Sequence, residues 1–146
     1  MEEGFQIKWH IIGEGWQRHL LEKIILDKKI QNNIELLGKK LNPYPYLNAC
    51  DIYMQPSRHE GYCIALAEAR AFCKPIIATD FAGAREQLTD QVTGLITEYS
   101  ADNLYRTLKQ LIVNKELRNR LSLNLQSQTM ELKEQVATLE HLLDNP

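Results

Sequence analysis

The amino-acid sequence predicts an α/β fold in which helices cover both faces of a parallel sheet. Short apolar runs alternate with helical segments, which is the pattern of that fold class. The runs are nearly continuous, as expected of strands that are buried on both faces. They lie at residues 9–12, 34–37, 52–54, 75–78 and 94–96. A chain of 146 residues, 44% of them hydrophobic, is long enough for one core, so a single domain over residues 1–146 is expected.

Helical segments connect and follow the predicted strands. Residues 16–27 carry four aliphatic side chains on one helical stripe, and residues 64–72 are rich in alanine, which suits tight packing. After Gly94 two more helices are predicted, one over residues 104–112 and a carboxyl-terminal helix over residues 128–143. The apolar stripe of this last helix consists of Leu132, Val136, Leu139 and Leu143. The sequence thus predicts a helical carboxyl-terminal tail that offers a docking surface.

Charge and cysteine content exclude several classes of protein. The net charge of −2 provides no basic field, so nucleic acid is not an expected partner. Three cysteines without Cys-x-x-Cys spacing predict neither a disulfide framework nor a zinc site, and no metal is expected. The acidic start, Met1 to Gly4, is unlike a signal peptide, and no apolar stretch approaches the ~20 residues of a membrane span. A cytoplasmic protein is expected, with peripheral contact at the inner face of a membrane left open.

The turn from the third predicted strand into the following helix is the candidate binding site. Ligands of open parallel sheets bind at the carboxyl ends of strands, where helix N-termini offer free amides to phosphate. Gly61 permits close approach of the backbone to a ligand, and a helix is expected from Ile64. Glu60 precedes this helix and Glu68 lies inside it; a carboxylate can accept hydrogen bonds from two neighbouring sugar hydroxyls. On spacing alone, it is equally consistent that Glu60 stabilises the helix dipole and that Glu68 is solvated.

Five blocks in this region strongly resemble, in order, the carboxyl-terminal domain of retaining glycosyltransferases of the large family 4. The blocks are Pro56 to Tyr62, Ala67 to Ala71, Lys74 to Asp80, Gly83 to Glu86 and Thr93 to Leu95. The hallmark of that family, two glutamates separated by seven residues, is matched by Glu60 and Glu68. The resemblance covers most of the chain. It implies a Rossmann-like domain that forms one half of a two-domain GT-B enzyme, with a nucleoside-diphosphate sugar as donor substrate and no cofactor.

The resemblance also implies roles for the residues of this turn. Glu60 would lie beside the donor sugar and contact its hydroxyls as the catalytic carboxylate, and Glu68 would hold the ribose. Four consecutive residues would line the sugar and the pyrophosphate with their backbone, beside the helix N-terminus. They are Gly61, Tyr62, Cys63 and Ile64. No metal would be needed, because amide dipoles and basic side chains stabilise the departing nucleotide.

Two further pairs of residues are assigned by the same resemblance. Gly13 and Gly15 would border the phosphates, and Gly38 and Lys39 would lie near the base. Residues 13–18 also resemble a dinucleotide-binding fingerprint, but Arg18 stands where its third glycine belongs, and no acidic residue ends the next strand. The dinucleotide interpretation is therefore the weaker one.

The sequence departs from the family pattern in several places. Cys63 and Cys73 stand where glycine is usual, and small buried packing is expected of both. The first strand and helix of such a domain, with an arginine and a lysine that grip the diphosphate, and the amino-terminal acceptor domain are expected to be absent. Arg58 and Arg85 would partly replace the basic pair, or be solvated surface residues. The strand at Trp9 would then pair with the third strand or leave an open edge, favouring a dimer.

These inferences predict a domain that transfers a sugar from a nucleoside-diphosphate donor to an acceptor with retention, in glycan, polysaccharide or glycolipid synthesis. On its own the chain is expected to be incomplete and inactive. The alternative is a noncatalytic subunit with a donor-domain-like fold that binds and stabilises a partner chain. A sugar-nucleotide epimerase of the same two-domain plan is a less favoured third interpretation.

Overall fold

The computed structural model describes residues 4–144, without the side chains of residues 138, 139 and 141–144. It divides into two compact units, Met1–Pro45 and Tyr46–Pro146. Each unit contains its own parallel ladder, one of two strands and one of three. The units are described in turn.

The first unit is a single strand-helix-strand motif. Strand β1 (Trp9–Ile12) is followed by helix α1 (Arg18–Asp27) and strand β2 (Ile34–Gly38). The two strands pair in parallel, with a register shift after Ile11. Parallel strands need a crossover connection, and α1 supplies it. Helix α2 (Tyr44–Ala49) begins at the end of this unit and continues into the next.

The second unit is a three-stranded parallel sheet with four further helices. In chain order its elements are β3 (Tyr53–Gln55), α3 (Ile64–Ala71), β4 (Ile76–Thr79), α4 (Ala82–Gln87), β5 (Leu95–Thr97), α5 (Ala101–Val113) and α6 (Lys115–Asp144). The strand order is β3-β4-β5, so β4 is central. All four of its residues are buried, as expected of a strand that is covered on both faces.

The core of the second unit consists of two clusters that contain side chains from opposite faces of β4. Ile76 and Ala78 belong to the first cluster and Ile77 to the second, as the two-residue period of a strand requires. The first cluster contains buried residues of α3 and α4 together with Leu125 of α6, and the second contains buried residues of α5 and of the earlier part of α6. Helices therefore cover both faces of this sheet, which confirms the predicted fold class.

All five predicted strands are present, with ends that differ by at most one residue. Two short helices, α2 and α4, were not predicted, because six residues are too few to show a helical period. The last helix begins at Lys115, well before the predicted start at residue 128. The earlier part was missed although Leu117, Leu121 and Leu125 recur at intervals of four and are buried. In the predicted stripe, Leu132 and Val136 are exposed, while the side chains of Leu139 and Leu143 lie outside the described residues.

In the described part of the chain, the edge strands β1 and β3 each pair with one strand, β2 and β4 respectively. The two outcomes predicted for the strand at Trp9, pairing with the third strand or an open edge, stay predictions.

Candidate functional site

A series of hydrogen-bonded side chains follows strand β3 into the turn before α3. The Tyr53 hydroxyl donates to Gln55 Oε1. Gln55 Nε2 donates to Ser57 Oγ at 2.8 Å and lies 3.4 Å from Glu60 Oε1. Ser57 Oγ in turn donates to the same Glu60 oxygen at 3.1 Å. The Glu60 carboxylate, though exposed, is thus held by two polar side chains.

The backbone of this turn is anchored to the central strand. Gln55 is in register with Ala78 of β4. The hydroxyl of the next β4 residue, Thr79, lies 3.2 Å from the Gln55 carbonyl oxygen and also within hydrogen-bonding distance of the Ser57 carbonyl oxygen. Thr79 is completely buried, so this anchor is shielded from water. The chain therefore leaves the sheet along a fixed path toward Glu60.

Helix α4 supports the next part of the turn by direct backbone contact. A Cβ on Gly83 would lie 1.8 Å from the Gly61 carbonyl oxygen, so only glycine permits this approach. Gln87, also buried, donates from Nε2 to the Cys63 carbonyl oxygen at 3.2 Å. On the other side Gly61 is open, because no described atom lies within 4 Å of the position a Cβ would take there. The turn is thus packed on one side and accessible on the other.

The predicted helix N-terminus is present at this turn. Helix α3 begins at Ile64, and Cys63 precedes it in extended conformation without a side-chain capping hydrogen bond. Tyr62 and Ile64 flank the buried Cys63 and are 65% and 70% exposed. The first-turn amides of a helix have no intrahelical partner and carry a partial positive charge, which favours an anion.

Electrostatic effects indicate that both glutamates lie near one phenol. Burial is the main cause that raises the pKa of Tyr53, and the charges of Cys63, Glu60 and Glu68 raise it further. Tyr53 therefore stays protonated and remains a hydrogen-bond donor at neutral pH. Glu68 is half-buried in α3 and has a partner of its own in the structure. The two predicted carboxylates thus act on the same side chain, that of Tyr53 at the start of β3.

Cys63 forms part of the same environment. Burial raises the pKa of its thiol to about 11, and a hydrogen bond to the Glu60 carboxylate adds to this, whereas the amides of Leu66 and Ala65 oppose it. The thiol is consequently neutral at physiological pH, and its side chain belongs to the first core cluster. The small buried packing predicted for Cys63 is what the structure shows. Cys73 packs against the same cluster from a partly buried position.

The two arginines considered as phosphate ligands both have partners. Arg58 Nε donates to the Tyr99 hydroxyl at 2.9 Å, and its guanidinium lies 5.1 Å from the centre of that ring. Arg85 forms two hydrogen bonds of 2.5 Å with the Asp80 carboxylate, and these lower the pKa of Asp80. Both arginines are exposed. The pair with Tyr99 joins the loop after β3 to the segment after β5.

The first unit brings its own predicted residues to one end of its ladder. Gly13 has φ +135°, a conformation that favours glycine, and its amide donates to the Gly38 carbonyl oxygen at 3.0 Å. Gly15 accepts from the amide of Arg18 at 3.0 Å, and Lys39 is exposed just beyond β2. The Arg18 side chain, whose role was not predicted, donates to the Leu36 carbonyl oxygen at 3.1 Å and pairs with two glutamates of its own segment.

The structure thus places the ten predicted site residues in two groups, one in each unit. The first group is Gly13, Gly15, Gly38 and Lys39, and the second is Glu60, Gly61, Tyr62, Cys63, Ile64 and Glu68. Sequence reasoning missed several residues that support the second group, namely Tyr53, Gln55, Ser57, Thr79, Gly83 and Gln87. A signal for the first three existed, because polar residues at alternate positions of a strand share one face.

The described residues contain neither a metal-binding cluster nor a membrane-spanning helix. No group of three or more His, Cys, Asp or Glu side chains is placed to hold a metal ion. None of the helices in that part of the chain is long and apolar enough to cross a membrane.

The fold and the turn define an α/β domain with polar residues and a helix N-terminus at the carboxyl ends of parallel strands, where proteins of this class bind ligands. More specifically, the chain belongs to the family of glycosyl transferases group 1, whose model matches residues 2–128. This finding confirms the family resemblance inferred from the sequence.

Relatives and solved structures agree with this assignment. The chain is 32% identical over 114 residues to N-acetylgalactosamine-N,N'-diacetylbacillosaminyl-diphospho-undecaprenol 4-alpha-N-acetylgalactosaminyltransferase of Campylobacter jejuni, covering 77% of this chain and 31% of that protein. A variant of S. aureus TarM, crystallised with UDP and alpha-GlcNAc-glycerol among its ligands, is similar with a TM-score of 0.82 and 25% identity over 98% of this chain and 29% of that one.

A third similarity is to Anabaena HepE in complex with UDP-glucose. Its TM-score is 0.77 at 21% identity, over 93% of this chain and 41% of that chain, and it supports the fold alone. The chain spans about a third of the length of the curated relatives it matches. The GT-B architecture predicted from the sequence is the one these glycosyltransferase structures share.

Proposed function

We propose that this chain is the donor-binding domain of a retaining glycosyltransferase and that it binds a nucleoside-diphosphate sugar at the turn between β3 and α3. The observation that carries the proposal is the arrangement of this turn. The Glu60 carboxylate is held by Gln55 and Ser57, Gly61 is open beside it, and a helix N-terminus follows. Two similar structures were crystallised with UDP or UDP-glucose, which agrees with such a donor.

Each group of the turn has a role in this proposal. Glu60 accepts hydrogen bonds from hydroxyls of the donor sugar, and Glu68 accepts them from the ribose. The backbone from Gly61 to Ile64 lines the sugar and the pyrophosphate, whose negative charge is stabilised by the first-turn amides of α3. The roles that the family resemblance implies in the first unit, Gly13 and Gly15 beside the phosphates and Gly38 and Lys39 near the base, stay predictions.

In the proposed reaction, one bond at the anomeric carbon of the donor sugar is replaced by another on the same face of the sugar ring. The bond from that carbon to the diphosphate oxygen breaks, and a bond to the acceptor oxygen forms. The leaving diphosphate takes the proton of the acceptor hydroxyl, so no protein nucleophile is needed. Glu60 orients the sugar and stabilises developing positive charge, while amide dipoles stabilise the departing diphosphate. This scheme requires neither a metal nor a cofactor.

Transfer is a property of a larger protein in this proposal, because the chain spans about a third of its relatives. An acceptor-binding domain is the partner that completes the site. The relatives named as acting on undecaprenol-linked glycans and on poly(ribitol-phosphate) suggest glycan, polysaccharide or glycolipid acceptors. We place the reaction in the cytoplasm, at the inner face of the membrane where the acceptor is a lipid-linked glycan. Association into a dimer would cover a strand edge that is left unpaired.

Calorimetry tests the donor site. UDP-glucose, UDP-N-acetylglucosamine and UDP-N-acetylgalactosamine are titrated into the chain and into the variants Glu60→Gln and Glu68→Gln. We expect one of them to bind and each variant to weaken binding about tenfold, the effect of losing a hydrogen bond to a charged group.

Glu86→Gln, a matched change at an exposed glutamate of α4, should leave the affinity unchanged. Heat absent with every sugar nucleotide would contradict the proposal and favour the noncatalytic subunit. Equal affinities in all variants would contradict the roles of both glutamates.

A further inference from the structure

The side chains between Tyr53 and Glu60 form one ordered series with a defined direction. A glutamine amide has one acceptor oxygen and two donor hydrogens on nitrogen. Gln55 Oε1 is occupied by the Tyr53 hydroxyl, so its nitrogen faces Ser57 and Glu60. The opposite orientation would place the amide oxygen against a carboxylate and leave the phenol facing the amide nitrogen. The tyrosine therefore determines which end of the amide meets Glu60.

This direction is stable over the physiological pH range. The raised pKa of Tyr53, caused mainly by burial, keeps its hydroxyl protonated and able to donate. The Ser57 hydroxyl accepts from Gln55 and donates to Glu60, so a second path leads from the amide to the carboxylate. Such chains of hydrogen bonds strengthen one another in a partly buried environment.

The series begins on strand β3, which is paired with the central strand, and ends at an exposed side chain. Gln55 is paired with β4, and its carbonyl oxygen lies 3.2 Å from the buried Thr79 hydroxyl. Glu60, in contrast, is exposed on the turn. A free glutamate has many rotamers, and the entropy of fixing one of them opposes ligand binding. Holding the carboxylate in one orientation before the ligand arrives removes much of that cost.

We propose that Gln55, oriented by the Tyr53 hydroxyl, is a positioning residue that fixes the Glu60 carboxylate for contact with the sugar of the donor. Ser57 supports the same carboxylate oxygen. This inference rests on the proposed function, because it assigns the glutamine a role through the glutamate that touches the sugar. Its consequence is specific: loss of Gln55 weakens recognition of the sugar and leaves recognition of the nucleoside diphosphate intact.

The test compares two ligands that differ only in the sugar. The dissociation constants of UDP and of the tightest-binding UDP-sugar are measured by calorimetry for each variant, and the ratio of the two constants reports the sugar contact. We expect Gln55→Leu to weaken binding of the UDP-sugar about tenfold relative to binding of UDP, and Tyr53→Phe to weaken it about threefold. The affinity for UDP itself should be unchanged in both variants. Gln110→Leu, the same substitution at an exposed position of α5, should change neither.

A double variant shows whether the glutamine acts through the glutamate. In the Glu60→Gln background, Gln55→Leu should produce no further change in the ratio, because the carboxylate it positions is already lost. The proposal would be overturned if Gln55→Leu changed the ratio as much in the Glu60→Gln background as it does in the wild-type chain. Equal weakening of UDP and of the UDP-sugar would also overturn it, since that pattern indicates general damage to the turn.

The outcomes separate this inference from the proposed function. If the ratio of the two dissociation constants changes in Glu60→Gln but not in Gln55→Leu, the positioning role alone is refuted. An unchanged ratio in Glu60→Gln refutes the donor contact itself. Circular dichroism checks that each variant is folded; should Gln55→Leu unfold, Tyr53→Phe removes only one oxygen atom and decides the question.

Discussion

The two units contain the same strand-helix-strand motif, yet they bury their side chains very differently. Where side chains are described, the buried ones begin at Leu47, so the first unit contains none. Several of its large apolar residues are exposed; Trp9, for example, is 38% exposed and Ile24 is 44% exposed. In the second unit α3, α4, α5 and α6 cover both faces of β4. One helix on two strands encloses no core, because burial requires packed layers around the sheet.

The first unit is held chiefly by polar contacts instead. Arg18 joins the start of α1 to the Leu36 carbonyl oxygen and to two glutamates, and Gly13 donates to the Gly38 carbonyl oxygen. Exposed ion pairs contribute about 0–1 kcal/mol each, far less than a buried aliphatic side chain. The comparison predicts that similar substitutions have large effects in the second unit and small ones in the first.

The largest difference is expected for truncated leucines. Leu66→Ala removes a completely buried side chain of the first core cluster and should lower the free energy of unfolding by about 2–5 kcal/mol. Leu26→Ala, at a position 65% exposed in α1, should change it by no more than about 0.5 kcal/mol.

Urea unfolding measured by far-ultraviolet circular dichroism gives both values. Trp9 and Trp16 are the two tryptophans of the chain, so their fluorescence follows the first unit separately. Equal shifts for the two leucine variants would remove the distinction between the units.

A smaller difference is expected for two glycines. Gly83→Ala places a methyl group 1.8 Å from the Gly61 carbonyl oxygen, so the turn must move; a loss of about 1–3 kcal/mol in stability and weaker sugar-nucleotide binding should follow. Gly15→Ala in the first unit meets no described atom within 4 Å and should leave stability nearly unchanged. Thermal unfolding and calorimetry measure the two effects, and an unchanged Gly83→Ala variant would show that the contact with Gly61 is dispensable.

The smallest predicted effect is a loss of stability at alkaline pH. The first unit contains no cysteine that could contribute to it. The pKa of Cys63 is raised from 9.0 to about 11 in the folded chain. The folded state therefore binds this proton more tightly than the unfolded state, and the resulting stabilisation is present below pH 9 and lost as pH rises to about 11. Tyr53 and Cys50 have raised pKa values and act in the same direction.

Cys63→Ala should thus show a shallower loss of stability between pH 9 and 11 than the wild type. Unfolding midpoints across that range provide the measurement. Parallel curves for both proteins would mean that Glu60 and burial do not perturb this thiol.

The strands could be predicted because each buried strand corresponds to a short run of apolar residues in the sequence. Residues 75–78 are apolar or small whichever face they occupy, and the structure has β4 one residue further on, at Ile76–Thr79. Helix α4 could not be predicted in this way, because six residues are too few to show a helical period. Its support for the turn was not predictable either, since it depends on contact between Gly83 and Gly61, which is far away in the sequence. The early start of α6 at Lys115 was missed because its leucine stripe was not joined to the later one.

The site was predictable to a similar, partial extent. Resemblance predicted Glu60 and Glu68 as site residues, and this stays a prediction, whereas the hydrogen bonds that hold Glu60 depend on side-chain geometry that no spacing rule contains. Arg58 and Tyr99 are 41 positions apart, and only the folded chain reveals that they pair. Local pattern therefore predicts elements, while contacts between distant segments determine which polar groups remain available to a ligand.

The contact between Gly61 and Gly83 limits how this site could be redesigned. Because one side of the turn is main chain against main chain, enlarging Gly83 displaces the loop itself. Tyr62 and Ile64, 65% and 70% exposed on the accessible side, tolerate a change of size without such displacement. Attempts to alter the sugar preference proposed for this site should therefore vary these two side chains and preserve Gly83.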